Sequence, residues 1–226
     1  IYLSRILKMN QTIDLLTSHR SIRKFTDEPI EPDLFTRLVE AAQASASSSF
    51  LQGVTIIRVT DPGKRVALRD VAGGQAYVET APEFLVFCAD LSRPMRCCRQ
   101  HGGTPAEGLT EQFVIATVDA ALYAQNLVIA ADSVRLGICY IGALRNDPAK
   151  VTELLDLPQQ VYPVFGLCLG HPAQDPEVKP RLPVSVTLKT DSYSTDGEDE
   201  AIAAYDEEMR TYYANRSANI KVQGWS

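Results

Sequence analysis

The longest apolar segment of the chain, residues 111–136, constrains the fold more than any other feature. Its sequence predicts one long helix whose apolar side chains cover much of the circumference. Such a helix lies at the centre of a fold or in an interface between subunits. Its many alanines allow another helix to pack closely. We therefore expect a dimer packed through this helix, with Ala124 or Leu127 facing the partner.

Around this helix, the hydrophobic patterns predict an α+β fold with a central, mostly antiparallel sheet of four or five strands flanked by helices. Strands are predicted at 54–60, 84–89, 138–142 and 162–169, and helices near 10–19, 31–46, 63–71, 75–80, 146–155 and 198–213. Residues 91–109 and 171–184 are rich in prolines and charges and are predicted to be loops.

Neither an internal repeat nor a linker of domain scale interrupts these patterns, so residues 1–226 are expected to form a single domain. Residues 1–9, which run up to Met9, are interpreted as a non-native or upstream extension. Residues 214–226 are interpreted as a mobile tail.

Charge and composition narrow the partners and the compartment. The net charge of −6 and the scattered basic residues argue against nucleic acid, which needs a clustered basic face. No window approaches the roughly 20 apolar residues of a membrane span, so no membrane is expected. Five cysteines without a CxxC pair do not suit a disulfide framework or a zinc site, and the cytoplasm is the expected location. Cys97 and Cys98 are adjacent in a polar segment.

Several common catalytic motifs are absent from the sequence. It contains no GxxxxGK[ST], GxGxxG, GxSxG or HExxH. Three histidines in all make a histidine-rich metal site a poor interpretation. Any nucleotide must therefore be bound by other means.

The segment HRSIRKF, residues 19–25, is a candidate phosphate site. If it is helical, Arg20 and Arg23 lie three apart on one face with Ser21 between them. Guanidinium groups offer paired donors that match a phosphate dianion. Taken alone, the same segment also fits a solvated basic helix end.

Two further segments carry basic residues in constrained backbone. Lys179 and Arg181 flank Pro180, which limits where the two cations point. The segment YIGALR ends a predicted core strand, and Gly142 and Ala143 leave its backbone accessible to a flat ring. By themselves, these segments also fit a charged loop and a strand-to-helix turn.

These segments together, in this order, resemble the oxygen-insensitive NADPH nitroreductases and the related NADPH–flavin oxidoreductases, most closely the NfsA/Frp group. The matching segments are HRSIRKFTDEPI at 19–30, SSSFLQ at 47–52, GGQ at 73–75, AQNLVIAADS at 124–133, YIGALRN at 140–146, FGLCLGHP at 165–172 and KPRLP at 179–183. Each motif is weak alone, but the ordered set covers nearly the whole chain from about Thr12.

The resemblance implies a nitroreductase-like fold and an intertwined homodimer that binds FMN at its interface. The implied FMN-binding residues are His19, Arg20, Ser21, Arg23, Ser47, Ser48, Ser49, Gln75, Gly142, Ala143, Leu144, Arg145, Lys179 and Arg181. The serines would reach the flavin of the other subunit, and Lys179 and Arg181 would bind its phosphate. Arg216 and Lys221 would bind the 2′-phosphate of NADPH.

The activity implied is hydride transfer from NADPH to nitroaromatics, quinones or similar flat acceptors by a ping-pong mechanism, with the chemistry carried by the flavin rather than by a catalytic side chain. One alternative is a reductase that supplies reduced free flavin. Another is a flavin-binding protein for storage or sensing. The sequence departs from the family pattern in two places: Ala143 stands where the family often has glycine, and the chain stops at Ser226, where relatives usually continue.

Overall fold

The computed structural model describes residues 10–217 and 220–226, and these divide into two compact units. The first unit ends at Gln174 and the second spans Asp175–Ser226. The prediction of one domain over the whole chain stays a prediction.

The first unit contains the sheet and most of the helices. Its α-helices are α1 (Gln11–Thr17), α2 (Pro32–Gln43), α3 (Pro62–Val71), α4 (Tyr77–Thr80), α5 (Ser92–Gln100), α6 (Thr110–Ser133) and α7 (Pro148–Leu154). Its strands are β1 (Val54–Arg58), β2 (Glu83–Asp90), β3 (Gly137–Ile141) and β4 (Val161–Gly170), and 3-10 turns cover Ser48–Phe50 and Gly142–Asn146. The second unit contains α8 (Val184–Thr187) and α9 (Glu198–Asn215).

The four strands form one sheet in the order β1-β2-β4-β3, and every neighbouring pair is antiparallel. All eight residues of β2 are buried. Successive side chains of a strand point to opposite faces, so a strand buried along its whole length needs cover on both sides. The α+β prediction is confirmed, and the four strands occur in the predicted order.

Two hydrophobic cores provide that cover. On one face, Leu85 and Phe87 of β2 pack among side chains of α2 and α6. On the other face, Phe84 and Val86 pack among side chains of α3, α4 and α7. The sheet is therefore the middle layer of three.

Helix α6 packs on β1, β2 and α2 through small side chains, as its alanines predicted. Ala124 and Leu127 have no exposed surface and face this core, so the expectation that they face a partner subunit is wrong. The exposed apolar side chains lie elsewhere on the helix: Phe113, Val114, Val118 and Leu122. Sequence alone could not separate the two faces, because both are apolar.

By length and composition alone, α6 is also able to cross a membrane, since an 18-residue window has a mean hydropathy of 1.6. The expectation that no window approaches a membrane span is therefore wrong for this helix. However, α6 carries the buried carboxylate of Asp119, which is hydrogen-bonded within the unit. Its inner face covers the sheet. These are the contacts of a core helix.

Residues 91–109 were expected to form a long loop, but they contain α5. Its three arginines and few apolar residues hide the helical pattern, and among its residues only Met95 is buried. The helix begins after Asp90, whose carboxylate accepts hydrogen bonds from the N–H groups of Ser92 at 2.9 Å and Arg93 at 3.3 Å. An acidic side chain accepting from the first N–H groups is a standard way to start a helix.

The second unit is organised around α9. Tyr205 and Met209 are buried on this helix, and Lys189 forms an ion pair with Glu198 at 2.6 Å. Residues 220–226 return to α9, where the N–H of Ser226 donates to Asp206 at 2.8 Å and Trp225 contacts the Tyr205 ring edge-on.

We predict that Asp90→Asn destabilises the first unit. Burial raises the pKa of this carboxyl. The hydrogen bonds from Thr55, Ser92 and Arg93 and the charge of Arg93 lower the pKa by more than burial raises it, so the net pKa lies below the ordinary aspartate value. The charge therefore stabilises the fold above the ordinary aspartate pKa of 3.8, and this contribution is lost as the pH falls through the folded-state value. Removing it should cost about 1–3 kcal/mol at pH 7.

The measurement is urea unfolding at several pH values. The difference between wild type and Asp90→Asn should stay constant from about pH 7 to 5 and shrink below about pH 4. Asp147→Asn is the control, because Asp147 is an exposed cap of α7 and asparagine caps helices equally well. A pH-independent loss in Asp90→Asn would contradict this assignment.

Candidate active site

The segment at 19–25 is not helical, so the condition under which Arg20 and Arg23 would share a helix face is not met. The N–H of Ile22 donates to the carbonyl of Ile138 at 2.8 Å, and Phe25 forms an antiparallel bridge with Pro172. The Ile22 side chain lies over Gly137, where an added Cβ would be only 2.6 Å away. In an extended chain, residues three apart point to opposite sides. Arg20 and Arg23 therefore do not share a face through helical spacing.

His19 is tied to the end of α6. Its Nδ1 lies 2.8 Å from Oδ2 of Asp132, and both side chains are mostly buried. This contact fixes the orientation of the imidazole at the start of the extended segment. Asp132, which the sequence did not single out, is thus a positioning partner of a predicted site residue.

Arg23 and Gln75, which are distant in sequence, meet at Tyr77. The Tyr77 hydroxyl donates to Oε1 of Gln75 at 2.9 Å. Burial raises the pKa of the Tyr77 phenol, and Arg23, which also hydrogen-bonds the phenol, lowers it in part. Tyr77 therefore orients an amide and a guanidinium that were both predicted to bind FMN. No sequence motif indicated this link.

The turn at Gly142–Asn146 follows β3 directly. Arg145 folds back over it, so that a Cβ on Gly142 would lie 3.0 Å from the guanidinium, and the same side chain donates to the Val164 carbonyl at 2.8 Å. Leu144 is completely buried among core residues, so its side chain faces away from solvent. Gly142 and Ala143 are half-buried.

The three serines lie in a strained turn before β1. Ser49 has a φ of 50°, and Phe50 and Gln52 are also left-handed. The Ser47 hydroxyl donates to Asp119 at 2.7 Å, so it holds the turn, whereas Ser48 and Ser49 are exposed. Left-handed backbone at non-glycine residues is costly and tends to occur at functional sites.

In the second unit, Lys179, Arg216 and Lys221 gather around Tyr213. The Lys179 ammonium lies 5.3 Å and the Arg216 guanidinium 4.7 Å from the centre of its ring. The hydrogen bond from Lys179 and the charges of Lys179, Arg216 and Lys221 lower the pKa of the Tyr213 phenol. Arg181 turns back and donates to the Lys179 carbonyl at 2.5 Å. Tyr213 is a further residue that sequence reasoning missed.

The cysteines offer no metal site among residues 10–217 and 220–226, where no group of three or more candidate ligands converges. All five are free thiols. Burial raises the pKa of Cys88 to about 12, and it also raises the pKa of Cys139 and Cys168. These three are core residues, as their apolar neighbours predicted, and Cys97 is exposed.

Comparison with known proteins gives the family. A profile of the nitroreductase family matches residues 16–171, and a profile of the C-terminal domain of the same family matches residues 179–226. The chain is 48% identical to a Vibrio harveyi NADPH-flavin oxidoreductase and 45% identical to a Salmonella typhimurium oxygen-insensitive NADPH nitroreductase. Each alignment spans 96% of this chain and 89% of the relative.

A solved structure agrees. NADPH:FMN oxidoreductase from Vibrio harveyi, complexed with NAD+, superposes with a TM-score of 0.86 at 46% identity, covering 93% of this chain and 89% of that one. The chain belongs to the nitroreductase family. The resemblance and the fold class predicted from the sequence are thereby confirmed.

Proposed function

We propose that this protein is an FMN-dependent oxidoreductase that passes a hydride from NADPH to nitroaromatics, quinones or similar flat acceptors. It is an NADPH-dependent flavin oxidoreductase, like the relatives named for NADPH, FMN and flavin. The observation that carries the proposal is the position of the predicted flavin residues in the first unit. The segment at 19–25 bonds to the start of β3, and the turn at Gly142–Asn146 follows the end of the same strand.

The residues around β3 fit FMN by their chemistry. Arg20 and Arg23 supply cationic donors, and Gln75, held by Tyr77, supplies an amide of fixed orientation. Gly142 and Ala143 offer half-buried backbone. In the second unit, Lys179 and Arg181 are the proposed phosphate partners. When bound, FMN supplies the hydride chemistry, in which NADPH and the acceptor react in turn at one place.

A homodimer completes the proposal. The apolar side chains on the outer face of α6, including Val114, Val118 and Leu122, are exposed in the single subunit. Exposed apolar patches of this kind mark interaction sites. We propose that a second copy covers this face, and that Ser48 and Ser49 contact the flavin of that copy. The free thiols fit a cytoplasmic location.

A second candidate is a reductase whose main acceptor is free flavin. It is favoured by the Vibrio harveyi relative, which is named for flavin rather than for nitro compounds. Turnover of NADPH with free FMN, compared with turnover on a nitroaromatic and a quinone at equal concentrations, distinguishes the two functions. A flavin storage protein would show neither.

We predict that the purified protein is yellow with FMN and that NADPH bleaches it rapidly without oxygen. Arg23→Ala should raise the Kd for FMN by roughly one to two decades, because a charge-assisted hydrogen bond contributes about 1.5–3 kcal/mol. Absorbance and fluorescence titrations measure this. Arg210→Ala, which removes an exposed cation paired with Glu207, is the control and should bind FMN normally. A colourless protein that FMN cannot reconstitute would refute the proposed function.

We predict that Val118→Glu and Leu122→Glu each abolish the dimer and release FMN, because a carboxylate buried in an apolar interface is not solvated. Sizing chromatography and the flavin content of the same fractions measure both effects. Ala149→Glu is the control, since Ala149 is exposed on α7, which packs against the other face of the sheet. A wild-type monomer with full activity would contradict the dimer.

Cofactor choice depends on Arg216, which is held beside Tyr213. We predict that Arg216→Ala raises the KM for NADPH roughly 10- to 100-fold and leaves the KM for NADH nearly unchanged, because one charged contact to the 2′-phosphate contributes about 1.5–3 kcal/mol. FMN content and reoxidation by the acceptor should not change. Equal losses with NADPH and NADH would mean that Arg216 does not recognise the 2′-phosphate.

A further inference from the structure

The turn that precedes β1 is held in an unfavourable backbone conformation. Ser49, Phe50 and Gln52 have φ values of 50°, 53° and 51°, in the left-handed region. Residues other than glycine are disfavoured in this region, and Asn and Asp adopt it more readily than Ser, Phe or Gln. Some other interaction must therefore hold the turn in place.

That interaction is provided by Asp119 on the inner face of α6. Its side chain is 1% exposed. Oδ2 accepts from the Ser47 hydroxyl at 2.7 Å and from the Gly53 N–H at 2.9 Å, and Oδ1 lies 3.4 Å from the Ser48 N–H. The Ser47 oxygen in turn accepts from the Gln52 N–H at 2.7 Å. One carboxylate thus connects both ends of the turn.

The contact between the turn and the helix is also closely packed. A Cβ on Gly53 would lie 3.3 Å from the Ala116 side chain, so the backbone approaches α6 at a glycine opposite an alanine. The Gly53 carbonyl accepts from the Asp90 N–H at 2.9 Å. The end of the turn is therefore fixed, and the strain is confined to Ser49, Phe50 and Gln52.

A buried carboxylate is costly unless its hydrogen-bond donors stay in place. Within the residues that the structure describes, the donors to Asp119 are a hydroxyl and backbone N–H groups rather than a cation. All of them belong to the turn or its flanks. If the turn relaxed to ordinary backbone angles, Asp119 would lose these donors, so its desolvation opposes the relaxation.

We propose that Asp119 is a positioning residue that holds Ser48 and Ser49 in the conformation in which they contact FMN. The inference rests on the proposed function, which assigns these serines to the flavin of the partner subunit. Asp119 touches no ligand itself. Because Val118 and Leu122 on the outer face of the same helix are proposed to meet the partner, α6 connects dimer formation to the shape of the flavin-contacting turn.

The first test uses the protein without FMN, so that it does not depend on activity. In Asp119→Asn, amide hydrogen exchange at Gln52 and Gly53 should accelerate at least roughly tenfold, because a charged acceptor is replaced by a neutral one. Val151→Ala is the matched control, since Val151 on α7 belongs to the hydrophobic core on the opposite face of the sheet and does not contact the turn. Unchanged exchange in Asp119→Asn would overturn the proposal.

The second test measures FMN binding. Asp119→Asn should raise the Kd for FMN roughly tenfold or more. Val151→Ala should keep the wild-type Kd even if it lowers the unfolding midpoint as much. Equal increases in both variants would mean that Asp119 only stabilises the fold. If wild-type protein fails to bind FMN while exchange still accelerates in Asp119→Asn, the proposed function fails and the anchoring of the turn stands.

A rescue variant tests the role of strain. Gln52→Gly introduces a residue that adopts a φ of 51° freely and keeps the N–H that donates to Ser47. When Gln52→Gly is combined with Asp119→Asn, part of the lost FMN affinity should return, because the turn then contains one strained residue fewer. A double variant that binds FMN no more tightly than Asp119→Asn would show that strain is not what Asp119 holds in check.

Discussion

Strand β2 is buried on both faces, and the arrangement of the first unit follows from that requirement. Leu85 and Phe87 need α2 and α6 on one side, while Phe84 and Val86 need α3, α4 and α7 on the other. Because the sheet is covered on both sides, the chemically useful backbone is left at its ends and edges. The turn after β3 and the extended segment across its start lie there.

Local patterns in the sequence were sufficient for most of the fold. The strands and the long helix follow from the periodicity of the apolar residues. Helix α5 was not predicted because its amphipathic pattern contains so few apolar residues. At 19–25 the arginine spacing would suit a helix, but the N–H of Ile22 bonds to β3 instead, so Arg20 and Arg23 do not share a helix face.

The candidate site shows a similar division. The basic residues and the glycine turn could be named from motifs, since they resemble a known family. The residues that support them could not be named, because Asp132, Tyr77 and Tyr213 contact partners far away in the sequence: His19, Arg23 and Lys179, respectively. Asp119 is 66 to 72 positions from the groups that it anchors. Contacts at such a distance are set by packing rather than by local pattern.

Helix α6 has consequences for how freely this chain can vary. Ala120 and Ala124 face the core, Asp119 holds the strained turn, Asp132 orients His19, and Val118 lies on the outer apolar face. Four different demands therefore fall on one helix of 24 residues. Few substitutions in it would be neutral, so sequence drift should accumulate on exposed positions elsewhere, such as those of α9.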